Sequence, residues 1–270
     1  MPETLRFDDL APYLLLRNGN TLYKVPFRGG DAVLKVYAGS RGRLETWRKS
    51  FENVVFAGQT SYQPRTRRRI ELECLALWRR HGFRVYETYE DVAVESPGCP
   101  PGCYTLFEYR AGPKLVEVLR DAKREPEARL AIYRRFLAEW ARRHELAEAL
   151  AEPRLVHENG DGKHVLVLDQ GFLWFDFEIV WRSRARVGDQ ISHEIVQYLW
   201  FLSKSVRELR DGLLEETVAG YPKTDRLRAA CAYFLDGPRR ALDRSLRARA
   251  RRPGSKYAVA RRLRALLDGA

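Results

Sequence analysis

One carboxylate constrains this chain more than any other residue. Asp176 sits in an apolar run, with Leu173-Trp174-Phe175 before it and Phe177 after it. A carboxylate in such surroundings has to be paired, bound to a metal ion or strongly perturbed. The residues before it show how a partner is brought up. A polar loop is followed by apolar runs at 164–168 and 172–177, separated by the turn formers Asp169-Gln170-Gly171. Two short apolar runs around such a turn predict a β-hairpin. That hairpin returns Asp176 towards the loop that carries His157, Asn159, Asp161, Lys163 and His164, so Asp176 and His164 are expected to share a cation. Glu178 falls on the same face as Asp176 if the strand continues. It then either adds a second carboxylate to the cation or pairs with an arginine of WRSRARV.

The amino-terminal half reads as β-structure. APYLLLRNGN and TLYKVPFRGG meet at Asn18-Gly19-Asn20, and AVLKVY follows the turn Gly29-Gly30-Asp31. Lys35 is alone among apolar neighbours in the last of these strands. It is either an edge-strand lysine reaching water or an ammonium held over an anion. A basic, aromatic-bearing insertion leads to a helix over 69–81, closed by Gly82. Glu71, Leu75 and Trp78 share its inward stripe and Glu73 does not, so Glu71 is the partner expected for Lys35. Residues 83–95 and 104–109 predict two more strands, giving a sheet of about five with one helix inserted after the third. From Ala111-Gly112-Pro113 onward the pattern is helical: LVEVLRDA, 127–150, 191–211 and the last forty-odd residues. Only the hairpin interrupts it. The expectation is an α+β protein of two lobes, residues 1–109 and 110–270.

Composition narrows the partners. Lys and Arg number 48 against 36 Asp and Glu, a net charge of +12 that favours anionic partners. Two clusters stand out: Arg65, Arg67, Arg68 and Arg69 before the helix, and eleven Lys or Arg against the single acid Asp243 in 239–264. The latter, with Val259, Leu263, Leu266 and Leu267, forms a basic amphipathic helix. It suits peripheral contact with an anionic inner membrane face or a glycolipid, or else packs on its own lobe. No motif for reading nucleic acid is present, and none is expected as a partner. No apolar run approaches a membrane span, and Asp8 and Asp9 stand where a signal peptide carries positive charge, so the expected location is cytoplasmic. Cys99 and Cys103 in PGCPPGC form either a loose redox or zinc pair or two incidental loop cysteines.

A strand lysine, an inward helix glutamate, a strand ending in Glu-Tyr, a His-containing loop, a hairpin and an Asp-Phe pair occur here in that order. The order resembles the protein-kinase-like fold over roughly residues 11–210. The chain is most similar to the bacterial lipopolysaccharide core (Kdo/heptose) kinases, whose catalytic loop runs His-x-Asp, four residues, then His. HENGDGKH places His157, Asn159 and His164 on those positions, and Asp176 takes the place of the metal-binding Asp of Asp-Phe-Gly. The resemblance implies a two-lobed fold, with an antiparallel sheet and one helix in the first lobe and mainly helices in the second. It also implies ATP with Mg²⁺ or Mn²⁺ as cofactors. Lys35 then contacts phosphates, Glu71 holds Lys35, and Phe107-Glu108-Tyr109 lies beside the adenine. His164, Asp176 and Glu178 face the cation.

The activity implied is ATP-dependent transfer of a phosphoryl group to a hydroxyl of a sugar or other small molecule, a lipopolysaccharide core sugar among the candidates. Two departures accompany it. The single glycine of RNGN replaces a glycine-rich run, and Asn159 stands where the family has its base. A neutral amide accepts no proton, so the alternative is a pseudokinase that binds nucleotide or acts as a scaffold. Asp161 can take over as base if the loop refolds around Gly160 and Gly162; otherwise it serves a Gly-Asp-Gly turn. His157 is expected to support the loop by hydrogen bonding.

Overall fold

The computed structural model describes residues 3–38, 42–236 and 254–269. The protein is mixed α+β, with an antiparallel sheet in its amino-terminal region and helices towards its carboxyl terminus. It divides into two compact units, residues 1–111 with 175–182, and residues 112–174 with 183–270. Residues 175–182 go with the first unit although they follow the hairpin of the second in the chain.

In the first unit, β2 (Leu14–Asn18), β3 (Asn20–Phe27), β4 (Gly30–Val36) and β7 (Tyr104–Glu108) form the sheet in the order β2-β3-β4-β7, every pair antiparallel. Gly19, at φ 74°, makes the β2–β3 turn where Asn18 pairs with Asn20. Ala32, Leu34 and Val36 alternate into the core with Val25 and Leu106. The opposite face of β4 presents Lys35. β4 is flanked by β3 and β7, so Lys35 lies on a central strand and not on an edge.

The region 83–95 adds no full strand to this sheet and meets it at an isolated antiparallel bridge between Thr88 and Phe107 of β7. It yields the short strand β5 (Arg84–Val85) and β6 (Val92–Glu95), and β6 pairs in parallel with the amino-terminal strand β1 (Glu3–Arg6). In ETLR only Leu5 is half-buried and the other three residues are exposed, so one apolar position in four does not announce a strand. Between β4 and β5 come α1 (Arg43–Phe51) and α2 (Pro64–Arg80). The second begins five residues before the expected start, because Pro64 occupies the first turn, where its missing N–H is harmless. It ends at Gly82, φ 74°, as the sequence indicates.

The second unit carries α3 (Leu115–Arg120), α4 (Pro126–Ala149), α5 (Val187–Ser205), α6 (Arg210–Gly220), α7 (Thr224–Leu235) and α8 (Lys256–Gly269). Its hairpin is β8 (Val165–Leu168) and β9 (Gly171–Trp174), paired antiparallel with Leu168 opposite Gly171. The turn is thus the two residues Asp169-Gln170. Phe136, Trp140, Trp174 and Tyr198 stack around one centre, with ring centroids 5.2–6.3 Å apart.

The apolar side of α8 (Val259, Ala260, Leu263, Leu267) is buried, and the helix packs on α5, α6 and α7. Its apolar stripe is therefore spent inside the unit and cannot enter a membrane; only its basic face is left outward. The arginines at 239–252 lie outside the described residues. Cys99 and Cys103 are buried free thiols. Among the described residues no helix is long and apolar enough to cross a membrane.

Candidate functional site

The first unit buries a charged cluster around Lys35. The ammonium lies 2.8 Å from Glu71 Oε2, 2.8 Å from Glu178 Oε1 and 3.1 Å from Asp176 Oδ1. Burial works against its charge, but Glu178, Glu71 and Asp176 together hold its pKa well above the ordinary lysine value. Tyr37, on the same face of the strand, donates its hydroxyl to Glu71 Oε2 at 2.6 Å. Burial and then the Glu71 charge push that phenol well above its ordinary value, so it stays a donor. α2 supplies a second cation. Arg67 stands one turn before Glu71, is 2% exposed, and places Nη1 3.1 Å from Glu178 Oε2. Its other nitrogen, Nη2, donates to the Tyr37 carbonyl, and its plane covers the Tyr62 ring at 4.3 Å. Asn20 donates its side-chain amide to Glu178.

The backbone explains how Asp176 arrives there. The strand ends at Trp174, and Asp176 adopts φ 74°, a left-handed conformation that Asp tolerates better than most residues. Asp176 is consequently not a strand residue, and Glu178 does not share a strand face with it. The local bend sends both carboxylates to one ammonium. Glu178 is 8% exposed and pairs with Lys35 and Arg67, not with an arginine of the WRSRARV segment. Arg182, Arg184 and Arg186 turn instead to the Val54 carbonyl, Glu152 and Asp189.

Counting formal charges, two cations face three carboxylates, so the cluster is one positive charge short. The shortage settles on Glu178. Burial raises its pKa to about 7; Lys35 and Arg67 lower it, while Asp176 and Glu71 add to the rise. Asp176 keeps 33% of its side chain exposed and is the member open to an incoming ligand. Carboxylate oxygens in electrostatic deficit suit a hard divalent cation such as Mg²⁺. Among the described residues, no group of three or more His, Cys, Asp or Glu is arranged to hold a metal ion. The contacts that Lys35 makes take up the oxygens a cation would use.

The strand proposed for the adenine side is β7. Ladder pairing joins Phe107 to Val33 and Glu108 to Ala32. The Glu108 amide donates to the Glu87 carbonyl at 3.0 Å, and its carboxylate accepts from the Glu87 amide at 3.0 Å. The Glu108 N–H is therefore committed, and Tyr109 is the first residue past the ladder. Tyr109 is 39% exposed, with the Lys24 ammonium 4.3 Å over its ring.

The second unit holds the loop 157–164. His157 is buried; its amide donates to Glu194 Oε2 at 2.8 Å, and its Nδ1 meets the Tyr198 hydroxyl at 3.2 Å. Glu194, fully buried on α5, also accepts from Trp140 Nε1 at 2.9 Å and pairs with Arg143. Burial opposes its charge, yet Arg143 and His144 hold it well below the usual carboxylate range. Gly160 is obligatory: a Cβ there would lie 2.2 Å from Tyr198 Cε2. One at Gly162 would lie 2.9 Å from Leu202 Cδ2.

This packing fixes the loop that carries Asp161. Its Oδ1 accepts from the Lys163 amide at 2.7 Å and lies 3.5 Å from His164 Nδ1, so it serves the turn. His164 Nδ1 also approaches the Asn159 carbonyl at 3.1 Å, while Asn159 itself is exposed.

No family model matches the chain, and no curated protein matches it in sequence.

Sequence periodicity identifies Lys35 and Glu71 and leaves out Arg67, Tyr37, Asn20 and Glu194. Arg67 and Glu71 are four apart, the spacing of one helix face, but the arginine run hides where the helix begins. Glu194 carries a legible signal in hindsight: it shares the i, i+4 stripe with Tyr198 and Leu202 in a run that is otherwise apolar inward.

Proposed function

We propose that the protein is an ATP-dependent phosphotransferase of protein-kinase-like fold, acting on a hydroxyl of a sugar or other small molecule. A lipopolysaccharide core sugar is one candidate acceptor. The observation that carries this reading is the buried Lys35, paired with Glu71 of α2 and facing Asp176 and Glu178. An ammonium on a central strand is costly to bury, and three carboxylates are more than it needs for neutrality. That excess makes sense for a group that exchanges partners when phosphates and a divalent cation arrive together.

In this reading Lys35 binds nucleotide phosphate oxygens while Glu71 and Tyr37 fix its position. Asp176 and Glu178 are the residues that would hold Mg²⁺ or Mn²⁺ once Lys35 gave up its contacts with them, and the ion would supply charge neutralisation for the phosphoryl group. Glu178, whose pKa is raised to about 7, would have to give up its proton to serve as a ligand. Phosphoryl transfer depends mainly on positioning and charge neutralisation, so a loop whose amide Asn159 replaces a base lowers the rate without excluding turnover. General-base assistance is worth about 10²–10⁴-fold.

Asn159 also supports the second reading, a pseudokinase that binds nucleotide without turning it over. Asp161 Oδ1 accepts from the Lys163 amide, so its service as a substitute base would require the loop to refold around Gly160 and Gly162. A thermal-shift screen with ATP and Mg²⁺ or Mn²⁺, followed by mass spectrometry of candidate phosphorylated acceptors, separates the two. Turnover abolished by Asp176→Ala supports the enzyme; cation-dependent binding without product supports the pseudokinase. No response to nucleotide under any cation removes both.

A further inference from the structure

The second unit contains a cleft that the phosphotransfer reading does not use. It measures about 960 Å³ and opens between the end of α5, the start of α6 and the first turns of α8. Its walls carry Lys204, Arg207, Arg210, Lys256 and Arg262, against the single acid Asp211. Five cations and one carboxylate leave a net charge of +4 around a concave surface.

The cations are held in ways that leave their charge directed outward. Lys204 and Lys256 place their ammonium groups 5.4 and 5.6 Å from the Trp200 ring centroid, an attraction that neutralises neither. Trp200 is itself fixed by donating Nε1 to the Gly254 carbonyl at 2.8 Å. Arg262 reaches Asp211 only at 3.4 Å, and Arg210 donates to the Ser203 carbonyl at 3.3 Å. Neither Lys204 nor Arg207 has a carboxylate partner among the described residues.

A second, independent observation points to a ligand. Ser203 lines the cleft and is only 4% exposed, yet its hydroxyl finds no hydrogen-bond partner among the described residues. A buried hydroxyl left without a partner is costly, so such a group normally has something to bond. The first turn of α8, capped by the Ser255 hydroxyl on the Ala258 amide at 3.2 Å, adds the positive end of a fourteen-residue helix.

We propose that this cleft is a binding site for a phosphate-bearing ligand, the phosphate meeting Lys204, Arg207 and Lys256 and accepting a hydrogen bond from the Ser203 hydroxyl. The chemistry recognised is a phosphate carrying two or more negative charges, whether on a soluble molecule or on a lipid headgroup. Partial burial lowers the pKa of Lys256, a desolvation that a bound anion would offset. The site stands independently of the phosphotransfer reading.

The test is calorimetric titration of the full-length protein with inorganic pyrophosphate, without divalent cations, at 50 and 500 mM salt. A parallel arm measures sedimentation with phosphatidylcholine vesicles, plain or containing phosphatidic acid. The expected result is saturable binding that weakens with salt. It falls at least tenfold in Lys204→Ala/Arg207→Ala and at least threefold in Ser203→Ala. It stays within twofold in Arg80→Ala, which removes one exposed cation from the other unit. Dependence on Lys204 and Arg207 in the pyrophosphate arm supports a soluble ligand; the same dependence in the phosphatidic acid arm alone supports a headgroup. Absence of binding in both arms at 50 mM salt overturns the proposal, as does an equal loss in Arg80→Ala.

Discussion

Glu178 gives the charge shortage around Lys35 a measurable consequence. Its carboxyl is raised to about 7 in the folded protein from an ordinary 4.5, chiefly by burial. A carboxyl raised in this way binds its proton more tightly when folded. It therefore contributes stability at low pH that is lost as pH rises from 4.5 through 7. The span is about 2.5 pH units at about 1.36 kcal/mol each, or about 3 kcal/mol, most of which falls between pH 5 and 8. Glutamine mimics the protonated carboxyl, so Glu178→Gln should be stabilising relative to the parent at pH 8 and nearly neutral at pH 5.

The comparison must be made between proteins and not along one pH curve, because His144 acts in the opposite sense. Burial lowers that imidazole from 6.5 to about 4, so stability falls as pH drops across the same window. The assay is urea unfolding at pH 5 and pH 8 with hydrogen-exchange mass spectrometry of the β4 peptide, which reports the first unit alone. If Glu178→Gln is displaced from the parent equally at both pH values, or is the less stable protein at pH 8, Glu178 is ionised throughout. The charge count at this cluster would then be wrong.

Four further outcomes follow from the same geometry. Added Mg²⁺ with ATP should release about one proton per site at pH 6 and fewer at pH 8, read as buffer-dependent heat in calorimetry, because the proton on Glu178 is displaced only where it is present. Lys35→Met should lower the stability of the first unit by about 3–5 kcal/mol in urea at pH 8, since it leaves buried carboxylates without their cation; replacing Glu178 by Gln in that background should recover part of the loss. Gly160→Ala should destabilise the second unit by more than about 2 kcal/mol through the clash with Tyr198, with Tyr198→Phe giving no rescue because the ring and not the hydroxyl is in the way. Asn159→Asp should raise phosphotransfer by about tenfold or more if the loop works as an active site, measured by product formation under single-turnover conditions.

How far the sequence was legible depends on whether one element alone decides a residue's place. Period-two alternation fixes which face of β4 holds Lys35, and period 3.6 fixes which face of α2 holds Glu71; both lie where those patterns put them. The hairpin is equally local, although its turn is the two residues Asp169-Gln170 and Gly171 pairs with Leu168 where the sequence put it in the turn. Asp176 was placed in the strand because Leu-Trp-Phe-Asp-Phe reads as one run, and a single left-handed residue leaves no mark on hydrophobic pattern. The sheet has four strands and not five for a different reason. β6 finds its partner in β1, almost ninety residues earlier in the chain, and pairing over such a distance is set by tertiary packing that no local window contains. The commitment of the Glu108 amide to Glu87 is likewise a tertiary fact. The apolar stripe of the carboxyl-terminal helix packs on its own unit, one of the two fates its pattern allowed, because amphipathicity states that a face must be buried and not what buries it.

The central claim is that Lys35 and Asp176 together serve a cation-dependent nucleotide site. Calorimetric titration of the protein with ATP, in the presence and absence of Mg²⁺ or Mn²⁺, and of Asp176→Ala under the same conditions, tests it most directly. Saturable binding that requires the cation and disappears in Asp176→Ala, with the variant's unfolding transition intact, is the predicted result. ATP binding of equal strength without the cation, or in Asp176→Ala, or no binding to the parent protein at all, contradicts it.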